Sequence, residues 1–188
     1  MEMKMEYVLI GVVALVVIFG GWALMTYNGI ISASQGVDAQ WGNVNAVYQR
    51  RADLIPNLVS SVKGYMTYEG GLLENITALR SQWESAQTTD QKIAAGSAMD
   101  SAISRLLVVS ENYPDLKASP LVANLMDELS GSENRISVER MRYNTAVQAY
   151  KLQIMYFPGS IIANMFGFHL KPYFQASAGA ENAPQVNF

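Results

Sequence analysis

The chain has no cysteine in its 188 residues. Disulfides, thiolate zinc sites, iron–sulfur clusters and cysteine nucleophiles are excluded with it; the redox compartment stays open, because a cysteine-free protein suits any of them. An excess of one charge is also missing. Lys+Arg (13) nearly balances Asp+Glu (16), for a net charge of −3. Nucleic-acid binders normally carry a basic excess on one face, so no nucleic-acid partner is expected. Histidine is nearly absent, with only His169 present. A di-metal carboxylate site in a helical bundle usually needs Glu-x-x-His on two helices, and no glutamate here has a histidine three residues on. The chain contains no G-x-S-x-G, no G-x-x-x-x-G-K-[ST] and no G-x-G-x-x-G, which removes the usual hydrolase and phosphate-cradling signatures. No catalytic residue, metal ligand or cofactor is therefore expected, and His169 reads as a tail residue without a chemical role. Asn75-Ile76-Thr77 has the form of a glycosylation acceptor, a pattern short enough to recur by chance. Strict alternation of apolar and polar residues, the mark of a half-buried strand, is missing as well. Proline is sparse, at six residues, and no long Pro/Gly/Ser run occurs. That composition describes a packed helical chain rather than a disordered one.

What the sequence does have is one long apolar run. Tyr7 to Met25 reads YVLIGVVALVVIFGGWALM without a charge. As a helix it covers about 28 Å, enough to cross the hydrocarbon core of a bilayer. Lys4 and Glu6 precede it, and Trp22 and Tyr27 stand where an aromatic belt belongs. A cleaved signal peptide has a shorter apolar core and a small-residue cleavage site close behind. Here the nearest such site, Ser32-Ala33-Ser34, lies too far downstream, so the run is expected to stay as a single-pass anchor. Lys4 and the terminal amine precede the span, and no Lys or Arg follows before Arg50. The positive-inside rule then leans to a cytoplasmic N-terminus with the following domain outside.

The helical pattern continues without a linker. Trp41, Val44, Tyr48, Arg51, Ile55, Leu58, Val62 and Tyr65 recur at steps of three and four, one seam of a bundle or coiled coil. Pro56 interrupts it, so a kink or short break is expected near Asp53–Ile55. A turn at Glu69-Gly70-Gly71 precedes a second helix with Leu72, Ile76, Leu79, Trp83 and Ala86 inside. Thr88 and Gln91 have the form of a capping box for a third helix carrying Ile93, Ile103, Leu106 and Leu107. Tyr113-Pro114 ends that helix. Ser119-Pro120 reads as an N-cap with proline at the first position of a fourth, whose seam runs through Leu125, Leu129, Ile136, Tyr143, Val147, Tyr150, Ile154 and Phe157 to Pro158-Gly159. That helix measures about 57 Å, close to the part of the first helix beyond the span. The expected fold is all-α: an N-terminal transmembrane helix continuous with an antiparallel four-helix bundle, plus an aromatic-rich C-terminal tail. The expected segments are a flank (1–6), the span (7–26), the bundle (27–157) and the tail (158–188).

Three features suggest surfaces or sites. Charged residues fall at or near the seam: Arg50, Arg51, Asp53, Glu69, Glu111, Lys117, Glu133 and Arg140. They read as ion pairs that hold helix register, with a binding site as the alternative. Small residues (Gly29, Ser32, Ala33, Gly36, Gly42, Ala46) mark the first helix. Such spacing permits close helix approach, either as a self-association face or as packing inside one bundle. The tail crowds Ile161, Ile162, Met165, Phe166, Phe168, Tyr173 and Phe174 into a stretch too short to span a membrane. Either it folds back onto the bundle, or it offers a surface to a partner or the lipid interface.

Several blocks resemble the LemA family. They are Tyr27-Asn28; Arg50-Arg51-Ala52-Asp53-Leu54-Ile55-Pro56-Asn57-Leu58-Val59 with Val62-Lys63-Gly64-Tyr65; and Glu111-Asn112-Tyr113-Pro114-Asp115-Leu116-Lys117-Ala118. Glu133-Asn134-Arg135-Ile136, Arg142-Tyr143-Asn144, Phe157-Pro158, Gly167-Phe168 and the closing Pro184-Gln185-Val186-Asn187-Phe188 follow in order. The resemblance implies a prokaryotic single-pass membrane protein with an antiparallel helical-bundle domain, and it implies no enzymatic activity or catalytic residue. Where members often have a histidine before the glutamate at the end of the first bundle helix, this chain has Tyr68 before Glu69. The resemblance singles out Arg51, Asp53 and Asn57, which also suit a structural role beside Pro56.

The expected function is a non-enzymatic, membrane-anchored scaffold that self-associates or holds a membrane-protein partner at the bilayer. A small-ligand sensor coupled to a membrane protease or signalling system is the alternative. Arg51, Asp53, Pro56, Asn57, Glu111, Glu133 and Asn144 are the candidate structural or interaction residues. Gly29, Ala33, Gly36, Gly42 and Ala46 form the candidate self-association face. Phe166, Phe168, Tyr173 and Phe174 form the candidate partner- or lipid-facing tail.

Overall fold

A computed structural model describes residues 2–175. The closing 184–188 block therefore lies outside the described residues, within which every regular element is helical. Helix α1 runs Glu2–Val62, and a 3₁₀ turn, Thr67–Glu69, leads into α2 (Gly70–Ser85). Then come α3 (Thr89–Ser110), the single turn α4 (Pro114–Lys117), α5 (Pro120–Met155) and α6 (Gly159–Phe166). No residue in the apolar window of α1 is buried, and the window is long enough to cross a membrane. Helix α3 passes the same test of length and composition, but 44% of its window is buried and it packs along α2, as a core helix does.

The described chain divides into two compact units. One takes α1 up to Gln40 together with Tyr143–Lys171; the other takes Trp41–Arg142 and the residues from Pro172 on. In the second unit, four helical segments make the expected antiparallel bundle. Tyr48 and Arg51 of α1 meet Arg140 and Ser132 of α5, with sequence numbers running in opposite senses. Ala52 and Tyr48 meet Arg80 and Trp83 of α2, again antiparallel, whereas Asn45 and Arg51 meet Lys92 and Asp100 of α3 in parallel order. The α2–α3 turn is closed by the predicted capping box: Thr88 Oγ1 accepts from the Gln91 N–H (3.2 Å), and Gln91 Oε1 accepts from the Thr88 N–H (3.2 Å).

The seam follows heptad spacing. Ile30, Val37, Val44, Arg51 and Leu58 stand seven apart on α1, as do Tyr48, Ile55 and Val62, and all are buried. On α5 the same holds for Val122, Leu129, Ile136, Tyr143 and Tyr150. Two seam expectations fail at helix ends. Tyr65 is exposed and Met66 is buried in its place, because the chain leaves α1 at Val62 in a turn where both N–H groups reach the Val62 carbonyl. Phe157 is exposed as well: α5 ends at Met155, so helical spacing no longer sets its direction.

Of the kink or short break expected at Pro56, the break does not form. The helix is not broken near Asp53–Ile55 but continues through Pro56 to Val62. Proline has no N–H to give the carbonyl four residues back, which is that of the fully buried Ala52. Arg80 of α2 supplies the missing donor, its Nε bonding Ala52 O at 2.9 Å. The same guanidinium pairs with Glu84 at 2.7 Å. A buried carbonyl left without a partner costs about 1–3 kcal/mol, so the hydrogen bond lost at Pro56 is replaced from a neighbouring helix.

This exchange is testable. Arg80→Met should destabilise the full-length protein by about 1–2 kcal/mol, the cost of the orphaned carbonyl. In a Pro56→Ala background the residue-56 N–H can serve Ala52 O, and the penalty should fall by about half or more. Urea unfolding of the four proteins in detergent, followed by circular dichroism, measures the coupling; additive effects would refute it.

Candidate functional site

Helical spacing brings Tyr48 and Arg51 of α1 to the bundle centre, one turn apart. There they meet Asp100 of α3 and Ser132, Glu133 and Arg140 of α5. Arg51 has no exposed surface, and each of its three nitrogens has an acceptor. Nε donates to Ser132 Oγ (2.8 Å), Nη1 to Asp100 Oδ1 (2.5 Å) and Nη2 to Glu133 Oε2 (2.7 Å). The other Asp100 oxygen accepts from Tyr48 Oη (2.8 Å) and from Arg140 Nη2. Arg140 Nη2 also donates to Tyr48 Oη and to Ser97 Oγ, the latter at 3.2 Å. Ser132 Oγ in turn donates to Leu129 O (2.6 Å). Two guanidinium and two carboxylate groups thus close one network, with no net charge left over.

The surroundings are aromatic. Trp83 stacks on Tyr48 with ring centres 6.1 Å apart, and Phe174 of the tail stacks on Tyr48 at 6.4 Å, nearly parallel. The Arg140 guanidinium lies 4.7 Å from the Phe174 ring centre. Gly96 makes the approach of Tyr48 to α3 possible: a Cβ there would sit 3.0 Å from the tyrosine ring. Burial pushes the Tyr48 hydroxyl far above its ordinary range, and the Asp100 carboxylate beside it adds to the effect. Burial likewise pushes Asp100 up, while Arg140 and Arg51 pull it down. The chemistry on offer is charge neutralisation and register. Slipping one helix by a turn would strand a charge where water cannot reach it.

Of the residues singled out from sequence, Tyr48, Arg51, Glu133, Arg140 and Phe174 meet here, Phe174 as a buried part of the fold and not a free surface. Asp53, Pro56 and Asn57 are exposed on α1; Asp53 accepts from Gln49 (2.8 Å) and the Asn57 carbonyl accepts from Ser60 (3.0 Å). Glu111 is exposed beside a cavity of about 460 Å³ that Leu116, Val122 and Met126 help to line. Asn144 is half-buried on α5 and belongs to the other unit, as do Phe166 and Phe168, whose rings lie 4.7 and 5.8 Å from that of Tyr27. Tyr173 is half-buried. Gly36, Gly42 and Ala46 are exposed, and Gly29 and Ala33 are partly covered. Among the described residues, no atom of another element comes within 4 Å of a Cβ built at Gly36 or Gly42.

The central residue missed from sequence is Asp100. Its signal was there: it falls seven residues after Ile93 and seven before Leu107, a charge on the apolar stripe of α3.

Burial grades the network. Arg51→Met should cost about 3–5 kcal/mol, because Asp100 and Glu133 lose their shared partner while Asp100 stays buried. The Glu133 side chain is 44% exposed, so Glu133→Gln should cost about 1 kcal/mol or less. Arg51→Lys should fall between them, since an ammonium cannot reproduce the planar fork. Chemical denaturation of the three variants ranks them, and equal losses for Arg51→Met and Glu133→Gln would contradict the network's hierarchy.

Comparison with known proteins places this arrangement in a family. Magnetosome protein MamQ 2 of Paramagnetospirillum magneticum is 27% identical over 186 residues, covering 85% of this chain and 68% of that relative. Magnetosome protein MamQ of Magnetospirillum gryphiswaldense is 23% identical over 192 residues, covering 87% and 71%. Protein LemA of Metamycoplasma hominis is 28% identical over 135 residues, covering 71% and 62%. Residues 40–188, which include every member of the ion network, match the LemA family, and the chain belongs to that family.

Proposed function

We propose that this protein is a membrane-anchored, non-enzymatic scaffold that self-associates or holds a partner at the bilayer, with its N-terminus cytoplasmic and the bundle outside. One observation carries the reading. The polar side chains best suited to chemistry are consumed in a single buried, mutually neutralising network, whereas α1 presents an uncharged apolar run and, beyond it, exposed small residues. Gly36 and Gly42 leave open backbone surface on a long helix, the kind of surface on which a second helix approaches closely. The names the relatives carry state no reaction.

The alternative, a small-ligand sensor, has one feature in its favour. A cavity of about 460 Å³ lies between the end of α1 and α2, lined by Val59, Lys63, Met66, Leu73 and Thr77 among others. Its lining includes neither Arg51 nor Glu133, whose charged ends are paired with each other.

The absence of cysteine makes the scaffold reading easy to test. Single Gly36→Cys and Gly42→Cys proteins, oxidised in native membranes, should yield disulfide-linked dimers, whereas Glu74→Cys on the exposed side of α2 should not. A strictly monomeric protein at every position, with no partner recovered after general crosslinking, would sink the proposal.

A further inference from the structure

The unit containing the apolar part of α1 leaves a second apolar surface uncovered. Helix α6 docks through Gly159, Ile162 and Ala163, which are buried. The fit at Gly159 is close enough that a Cβ would lie 1.8 Å from the Gln153 carbonyl oxygen. At the other end Gly167, in the left-handed region at φ 71°, caps the helix with its N–H on Ala163 O. A short surface helix docked in this way normally turns polar residues outward. Here most outward positions are apolar: Ile161 is 50% exposed, Met165 72% and Phe166 58%, with Phe157 (76%) before the helix and Leu170 (62%) after it; Asn164 is the exposed polar residue among them. Phe157, Ile161 and Met165 are four apart. From Met155 to Leu170 the chain carries no Asp, Glu, Lys or Arg.

Ring contacts give this surface its level along α1. Phe157 lies 6.3 Å from Trp22 and Phe166 lies 4.7 Å from Tyr27. Trp22 and Tyr27 bracket the end of the uncharged run at Met25, where a spanning helix leaves the hydrocarbon and aromatic side chains collect. The next charge after α6, Lys171, is held by Asp38 (2.6 Å) and the Ser34 carbonyl (3.1 Å). Asp38 lies about 16 Å further along α1 than Tyr27, at 1.5 Å per residue. The apolar surface is therefore continuous with the end of the span, and the Lys171–Asp38 pair that follows it lies further along α1.

We propose that α6, with Phe157 and Leu170, is a second membrane contact: an interfacial helix whose Ile161, Met165 and Phe166 enter the headgroup–acyl boundary beside the span. The inference rests on the reading of Tyr7–Met25 as membrane-spanning. Its occupant is the lipid interface, because the patch adjoins the exposed apolar run of α1 and carries no Asp, Glu, Lys or Arg. Two contacts, one through the bilayer and one along it, would restrict the tilt and rotation of α1.

The test uses the full chain in phosphatidylcholine–phosphatidylglycerol vesicles, spin-labelled at one introduced cysteine: Val13→Cys in the span, Ile161→Cys, Met165→Cys, or Val108→Cys on the exposed face of α3. Collision with oxygen and with a water-soluble nickel chelate reports depth. Labels at 161 and 165 should favour oxygen and sit about 5–10 Å below the headgroup boundary, with 13 deeper and 108 in water. If 13 lies in the membrane while 161 and 165 are in water, the interfacial helix is refuted and the anchor survives. A label at 161 or 165 shielded from both probes and spin-coupled to the same label on another copy would refute it in favour of a second copy. A label at 13 in water would overturn the anchor and this inference together.

Discussion

A carboxylate shared by two guanidinium groups is the constraint on which the bundle depends. Asp100 is buried, and ionised it is tolerable there only because Arg51 and Arg140 reach it from two different helices. That requirement sets the register of three helices at once. The apolar seam alone would not, because Val, Ile and Leu repeated at heptad spacing fit nearly as well after a slip of seven residues. The charged positions break that degeneracy: Arg51 stands within the Ile30–Leu58 series, and Arg140 stands seven residues before the buried Val147. Phe174 then closes over Tyr48 and Arg140, so part of the tail becomes bundle core.

The same logic of a polar group served from a neighbouring element appears at Pro56. A proline inside a long helix removes one internal hydrogen bond and crowds the preceding turn. The chain keeps the helix continuous because the released carbonyl faces α2, where Arg80 can reach it. The short-range signal of the proline and the long-range contact of the arginine point to opposite local structures, and the tertiary contact prevails.

The two candidate surfaces differ in kind. Gly36 and Gly42 offer exposed backbone on α1, suited to the close approach of another helix. The residues around α6 offer side chains, large and apolar, ringed with the aromatic residues that end the span. Under the scaffold reading proposed above, the first would serve lateral association and the second a defined attitude to the membrane.

Much of this protein was legible in its sequence, and the reason is periodicity. Steps of three and four, an uncharged run of bilayer length, a Thr88–Gln91 capping box and Pro-Gly punctuation are local patterns whose physics acts within a few residues. From them came the all-α fold, the helix order and the burial of Arg51 on the seam. Tertiary structure decided what local patterns cannot hold. Asp100 is joined to Arg51 and Arg140 across 49 and 40 residues of chain, and its partners could not be read from its neighbours. Pro56 does not break α1, because its remedy lies 24 residues away on α2. The tail divides as well: Phe174 is buried in the network, whereas Phe166 lies against Tyr27 with most of its surface open. Its composition was evident from the start, but which aromatic residue goes inward depends on where the folded chain leaves space for a ring.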